Sequence, residues 1–226
     1  MSRRPYDASR RREAAGRTQS AMLDAARTLF AEQGYAATTV TQIAATAGVS
    51  PASVSAAFGG KAGLLRRLVD IGIVGDEQPV ALGERPEARR IAAEPDPYRQ
   101  VEQFAALVAD VHARLAGLQG ILAEAAGADE QVRQDLVRMQ RGRHAGMAEF
   151  TAVLAAAGHL RPGLDEETAT DVVWALTEPR LFVGLCHECG WSTSAYTELL
   201  TGQLAAALLA DPGRPAHRDA ASQPSE

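Results

Sequence analysis

Apolar residues recur at helical spacing over most of this chain, and no stretch alternates long enough to predict a strand, so the fold class is all-α. Over residues 17–33, Met22, Ala25, Ala26, Leu29 and Phe30 share one face, and Gly34 ends that helix. Two short helices follow. Thr39 and Gln42 make a capping box ahead of Val40, Ile43, Ala44 and Ala47, and Gly48 supplies the left-handed residue that closes the first. Ser50-Pro51 then restarts the chain with an N-cap and a proline at the first helical position. The second short helix runs from Pro51 to about Phe58, with Val54 and Phe58 facing inward and Val49 plugging the turn between the two. Lys61 opens a fourth helix through about Val74, on the stripe Leu64, Leu65, Leu68 and Ile71.

The helix from Pro51 to Phe58 leaves Pro51, Ala52, Ser53, Ser55, Ala56 and Ala57 around its outside, a slim surface with no charge. A helix of this width, presented by a short helix across a tight turn, has the geometry that enters a DNA major groove. Phe30, Gly34-Tyr35, Thr39-Val40, Ile43-Ala44, Ala47-Gly48-Val49-Ser50, and Phe58 to Lys61 followed by Leu64-Leu65 resemble the N-terminal domain of TetR-type transcriptional regulators over about residues 17 to 70. The chain departs from that family at Ser55, where an aromatic is usual, at Ala57, where a large polar residue is common, and at Gly60 and Ala62. The resemblance implies an N-terminal three-helix helix-turn-helix DNA-binding domain and a larger helical ligand-binding and dimerisation domain. Thr39, Thr41, Ser50, Ser53, Ser55 and Lys61 are the candidate phosphate or base-edge contacts, and Pro51, Ala52 and Ala56 the positions of close approach.

Charge sharpens that picture. The 226-residue chain carries a net −5, yet residues 1–70 hold 10 Lys/Arg against 5 Asp/Glu, whereas residues 71–226 hold 13 against 23. The basic part is the part with the motif, as expected of an electrostatic DNA footprint on an otherwise acidic protein. Residues 1–16, with Arg3, Arg4, Arg10, Arg11 and Arg12, have no apolar period and are expected to form a disordered basic arm. The helix-turn-helix domain is expected over 17–75, the helical ligand-binding and dimerisation domain over 76–210, and a disordered tail over 211–226. The Pro-rich stretch 75–97 marks the boundary. With no leader pattern and no uninterrupted apolar run of about 18 residues, the expectation is a cytoplasmic protein without a membrane.

From Tyr98 onward the pattern predicts helices at about 98–115, 118–126, 129–157, 165–187 and 194–210, with a kink at Pro179. Amphipathicity alone leaves the last two as either core helices or interface helices; the resemblance implies that they pair with their copies in a homodimer. It also implies a small-molecule effector between helices, for which Phe104, Leu107, His112, Met139, Met147, Phe150, Trp174 and Phe182 are candidates, each of which also fits ordinary core packing. Cys186-His187-Glu188-Cys189 is a single C-x-x-C without the second ligand pair a structural metal site needs, so it reads as two small packed side chains or as a redox or metal element. No nucleophile elbow, phosphate loop or paired-carboxylate pattern is present, so neither an enzyme nor a cofactor is expected. The reading is a ligand-responsive regulator, a repressor in preference to an activator, binding a near-palindromic double-stranded DNA operator as a dimer. The alternative is a helical small-molecule sensor or interaction protein without specific DNA binding.

Overall fold

The order of elements follows the periodicity closely at the N-terminal end. In the computed structural model, which describes residues 8–76, 78 and 80–210, α1 spans Ala8–Ala37, α2 Val40–Thr46, α3 Pro51–Phe58 and α4 Lys61–Val74. A 3-10 turn at Leu82–Glu84 leads to α5 (Pro86–Ala92), α6 (Pro97–Ala128) and α7 (Glu130–Ala156). Then come α8 (Glu166–Leu176), α9 (Pro179–Phe182), a π-helical turn at Val183–Glu188 and α10 (Thr193–Leu208). Among the described residues the only extended pairing is an isolated bridge between Leu160 and Leu209.

Several boundaries differ from the periodicity reading. Helix α1 begins at Ala8, so residues 8–16 of the expected arm are helical; residues 1–7 and the expected tail at 211–226 lie outside the described residues. The predicted break near residue 117 is absent, because Leu115, Leu118, Ile121, Leu122 and Ala125 continue one buried stripe through Gly117 and outweigh the roughly 1 kcal/mol that a glycine costs inside a helix. Residues 86–92, read as irregular, form α5 with Pro86 in its first turn. Pro179 does more than kink its helix: α8 stops at Leu176, and the proline sits in the first turn of α9.

The chain forms two compact units. The first comprises the residues up to Leu82 together with Val111–Arg141. Its core joins Met22, Ala26 and Phe30 of α1, Ile43 and Val54 of the short helices, Leu64, Leu65 and Leu68 of α4, and Leu115, Leu118 and Leu122 of α6. The second unit takes Gly83–Asp110 and the residues from Gly142 onward. Val101, Phe104 and Val108 of α6, Phe150 and Leu154 of α7, Val173 of α8, Phe182, and Tyr196, Leu200, Leu204 and Leu208 of α10 are buried there. Helix α6 supplies residues to both units. Among the described residues it is also the one helix long and apolar enough to cross a membrane, with mean hydropathy 1.2 over its best window, and 44% of that window is buried inside the fold.

Candidate nucleic-acid interface

The two short helices are set by their caps. The Thr39 hydroxyl accepts from the Gln42 backbone N–H at 3.2 Å while the Gln42 side chain accepts from the Thr39 N–H at 2.8 Å, closing the capping box on α2. Ser50 Oγ accepts from the Ser53 N–H at 3.1 Å, and Pro51 occupies the first turn of α3. Between them the Val49 N–H donates to the Ala44 carbonyl at 2.9 Å, and Val49 packs half-buried on the core. Val54 is fully buried and Phe58 half-buried, which fixes the rotation of α3 about its axis.

With that rotation fixed, Pro51, Ala52, Ser53, Ser55, Ala56 and Ala57 are all exposed, as are Thr39, Thr41 and Ser50. Eight of the nine expected contact residues thus stand on an accessible surface. A ridge of methyl groups and hydroxyls without charge can approach a base edge closely, donate or accept single hydrogen bonds, and meet a thymine methyl.

Lys61 is the exception, half-buried rather than exposed. Its Nζ donates to the Tyr35 carbonyl at 2.7 Å and lies 4.1 Å from the centre of the Tyr35 ring. Burial lowers its pKa, against the opposing pull of the Asp129 and Glu124 carboxylates. Other groups converge on the same turn. Gly34 breaks α1 with φ 80 and ψ 167, conformations that only glycine adopts readily, and this turns the next two N–H groups outward from the helix. Glu124 accepts from both, from Tyr35 N at 3.1 Å and from Ala36 N at 2.9 Å. The Tyr35 hydroxyl then donates to Asp129, the residue between α6 and α7, at 2.7 Å. The hydrogen bond from the Ala36 N–H, then that from Tyr35, holds the Glu124 carboxyl below its usual range, and the Tyr35 hydroxyl does the same for Asp129. Sequence reasoning missed Glu124 and Asp129 because they lie 89 and 94 residues from the Tyr35 they hold.

Of the expected effector residues, His112 is buried in the first unit, where Met139 packs half-buried against the core. In the second unit the Phe104 and Phe150 rings stack at 3.8 Å, and Met147 is buried with its sulfur 3.8 Å from the Thr177 hydroxyl. Phe182 meets Tyr196 edge-on, and Trp174 lies half-buried under the Arg143 guanidinium at 4.6 Å. Leu107 lines an open groove of about 570 Å³ between α5 and α6, together with Ile91, Ala106 and Gln103 and a rim of Glu87, Glu94 and Asp110. Arg143, which sequence reasoning passed over, donates to the Trp174 and Thr177 carbonyls at 2.9 and 3.1 Å and to the Glu178 carboxylate at 3.2 Å, occupying the end of α8. Among the described residues no group of three or more His, Cys, Asp or Glu is placed to hold a metal ion.

Residues 22–68, the stretch that carries the capping box, the turn and α3, match the family described as bacterial regulatory proteins, tetR family. The head is a TetR-family domain. Solved structures extend the likeness beyond this TetR-type head. SmeT in complex with triclosan is 19% identical, covering 92% of this chain and 99% of that one with a TM-score of 0.66. SmeT is described as the repressor of the multidrug efflux pump SmeDEF of Stenotrophomonas maltophilia. NalD, the secondary repressor of the MexAB-OprM multidrug efflux pump in Pseudomonas aeruginosa, is 21% identical over 87% of this chain and 98% of its own, with a TM-score of 0.65. The fatty acid degradation regulator FadR of Bacillus halodurans is 17% identical, covering 83% and 94%, with a TM-score of 0.62. At these identities the likeness is one of fold. No curated protein matches the chain.

Proposed function

We propose that this protein is a ligand-responsive DNA-binding transcriptional regulator, a repressor in preference to an activator, that binds a near-palindromic operator as a homodimer. The observation that carries the reading is the exposed, uncharged face of α3, held by two side-chain caps and a buried Val54 in a TetR-family head. Each protomer places α3 in a major groove, with half-sites about one helical turn, or a multiple of it, apart. Thr39, Thr41, Ser50, Ser53 and Ser55 contact phosphate or base edges, while Pro51, Ala52 and Ala56 allow close approach.

Two features support the dimer. Helix α10 buries Tyr196, Leu200, Leu204 and Leu208 on one side, while Ala195, Leu199, Gly202 and Ala206, at helical spacing on another, remain partly or fully exposed. Leu181 and Trp191, at 45% and 41% exposure, add apolar surface beside it. The groove beside Leu107 is the candidate effector site, and the relatives described as an efflux-pump repressor and as a triclosan complex support effector control. An effector that binds better to the form whose reading heads are wrongly spaced lowers operator affinity by population shift.

Fluorescence anisotropy with the DNA flanking the protein's own gene, titrated against random duplex over a range of salt, tests this reading. The expected result is tighter binding to one flanking segment, weakening linearly in log salt. Equal affinity for both DNAs would instead favour a sensor without specific DNA binding, a reading to which small Ser55 and Ala57 and the inward Lys61 lend weight.

A further inference from the structure

Cys186 and Cys189 lie in the second unit. Both are free thiols, Cys186 half-buried and Cys189 exposed. They bracket the last residues of the π-helical turn Val183–Glu188, and Cys189 is its C-terminal cap. In that wide turn the Cys189 N–H donates to the Gly184 carbonyl at 3.0 Å and the Trp191 N–H to the Leu185 carbonyl at 2.9 Å, so the chain spacing is looser than in an α-helix. Gly190 follows at φ 74, a conformation that lets the chain reverse directly after the second thiol. Cys186 Sγ sits 4.0 Å from the Ser192 carbonyl, and Ser192 Oγ caps α10 by accepting from the Ala195 N–H at 3.1 Å.

We propose that Cys186 and Cys189 are a redox-active dithiol that closes to an intramolecular disulfide and reports its state through the start of α10. A disulfide requires Cβ atoms about 3.5–4.5 Å apart, closer than the about 5–6 Å of side chains three apart on an α-helix. Closure therefore draws the Cys189 end inward, a movement that a π-turn followed by a left-handed glycine leaves room for. Burial pushes the Cys186 thiol up, so exposed Cys189 meets the oxidant first. A hydroperoxide transfers one oxygen to the Cys189 sulfur, giving a sulfenic acid and releasing the corresponding alcohol or water. Cys186 sulfur then attacks that sulfur, the S–S bond forms, and hydroxide leaves to take up the thiol proton as water. The two thiols have lost two electrons and the peroxide has gained them. Because Cys189, Trp191 and Ser192 are bonded to successive parts of the turn and cap, the movement strains the Ser192 cap on α10.

The test treats the full-length protein with one equivalent of hydrogen peroxide, alkylates remaining thiols, and reads intact mass. The expected product has lost about two mass units and takes up no alkylating agent, and dithiothreitol restores both sites. Cys186→Ser is expected to stop at a Cys189 sulfenic acid that dimedone traps, and Cys189→Ser to show no fast oxidation. Hydrogen exchange in residues 193–197 is expected to speed up on oxidation of the native chain and to stay unchanged in Cys186→Ser. Equilibrating the unsubstituted chain in glutathione buffers gives a two-electron midpoint without any substitution. Two thiols that alkylate independently after peroxide, or a product linked between chains on a non-reducing gel, would overturn the proposal. None of these measurements involves DNA, so the outcome stands apart from the regulator reading.

Discussion

Replacing Gly34 with alanine tests whether the turn that receives Glu124 organises the first unit. Gly34 holds φ 80 and ψ 167. A residue with a side chain in that region costs about 1–3 kcal/mol. The new Cβ would also stand 2.9 Å from Glu124 Oε2 and 3.2 Å from Oε1, closer than carbon and oxygen pack. Glu124 is exposed and its carboxylate can swing away, but only by releasing the Tyr35 and Ala36 N–H groups. Backbone strain alone therefore lowers the melting temperature by roughly 2–12 °C, at about 2–4 °C per kcal/mol for a chain of this size. Thermal melts of Gly34→Ala, Glu124→Ala and the double variant measure the contact itself. In the double variant the Cβ has room, so its cost is expected to fall short of the sum of the singles by more than the roughly 0.5 kcal/mol scatter of independent sites. A Gly34→Ala protein that melts with the native chain, or singles that add within that scatter, would refute the clamp.

The same cluster sets an acid limb. The folded pKa values of Glu124 and Asp129 lie below their ordinary 4.5 and 3.8, so their contribution is complete above those values and is lost as pH falls below them toward the folded pKa. A plot of melting temperature against pH should fall below about pH 4.5 and flatten in that range for Glu124→Gln with Asp129→Asn. Arg143→Ala removes the guanidinium donor from the Thr177 carbonyl and leaves the Trp174 carbonyl only the Thr177 hydroxyl at 3.4 Å, and is expected to cost about 1–3 kcal/mol, read as a lower urea midpoint at unchanged slope. Thr39→Ala and Ser50→Ala each remove an N-cap, at about 0.5–2 kcal/mol, while Thr39→Ser restores the cap and most of the loss. If the regulator reading holds, Ser50→Ala also weakens operator binding in the anisotropy titration.

What could be read directly from the residues is what neighbouring residues decide. Thr39 with Gln42, and Ser50 with Pro51 and Ser53, fix where two helices start, because a cap satisfies N–H groups two or three positions away and needs nothing from the rest of the chain. Val54 and Phe58 then set the exposed face of α3 by simple spacing. The misreadings occur where distant residues overrule a local signal. The pattern puts a helix boundary between 115 and 118, but the burial of Leu115 and Leu118 on either side carries α6 through it. Pro179 suggested a kinked continuous helix, but Arg143, more than thirty residues earlier, takes the carbonyls that would otherwise require the helix to continue. Lys61 shows the limit most clearly. A lysine at a helix N-terminus next to a reading helix carries the local signature of a phosphate contact, and nothing nearby in sequence argues against it. Its direction is decided by the Tyr35 carbonyl and by carboxylates at Glu124 and Asp129, which reach the site only once α6 is a single helix ending there. On the proposed regulator reading, the basic N-terminal segment supplies the cations that draw this head to a phosphate backbone, and the uncharged face of α3 discriminates sequence.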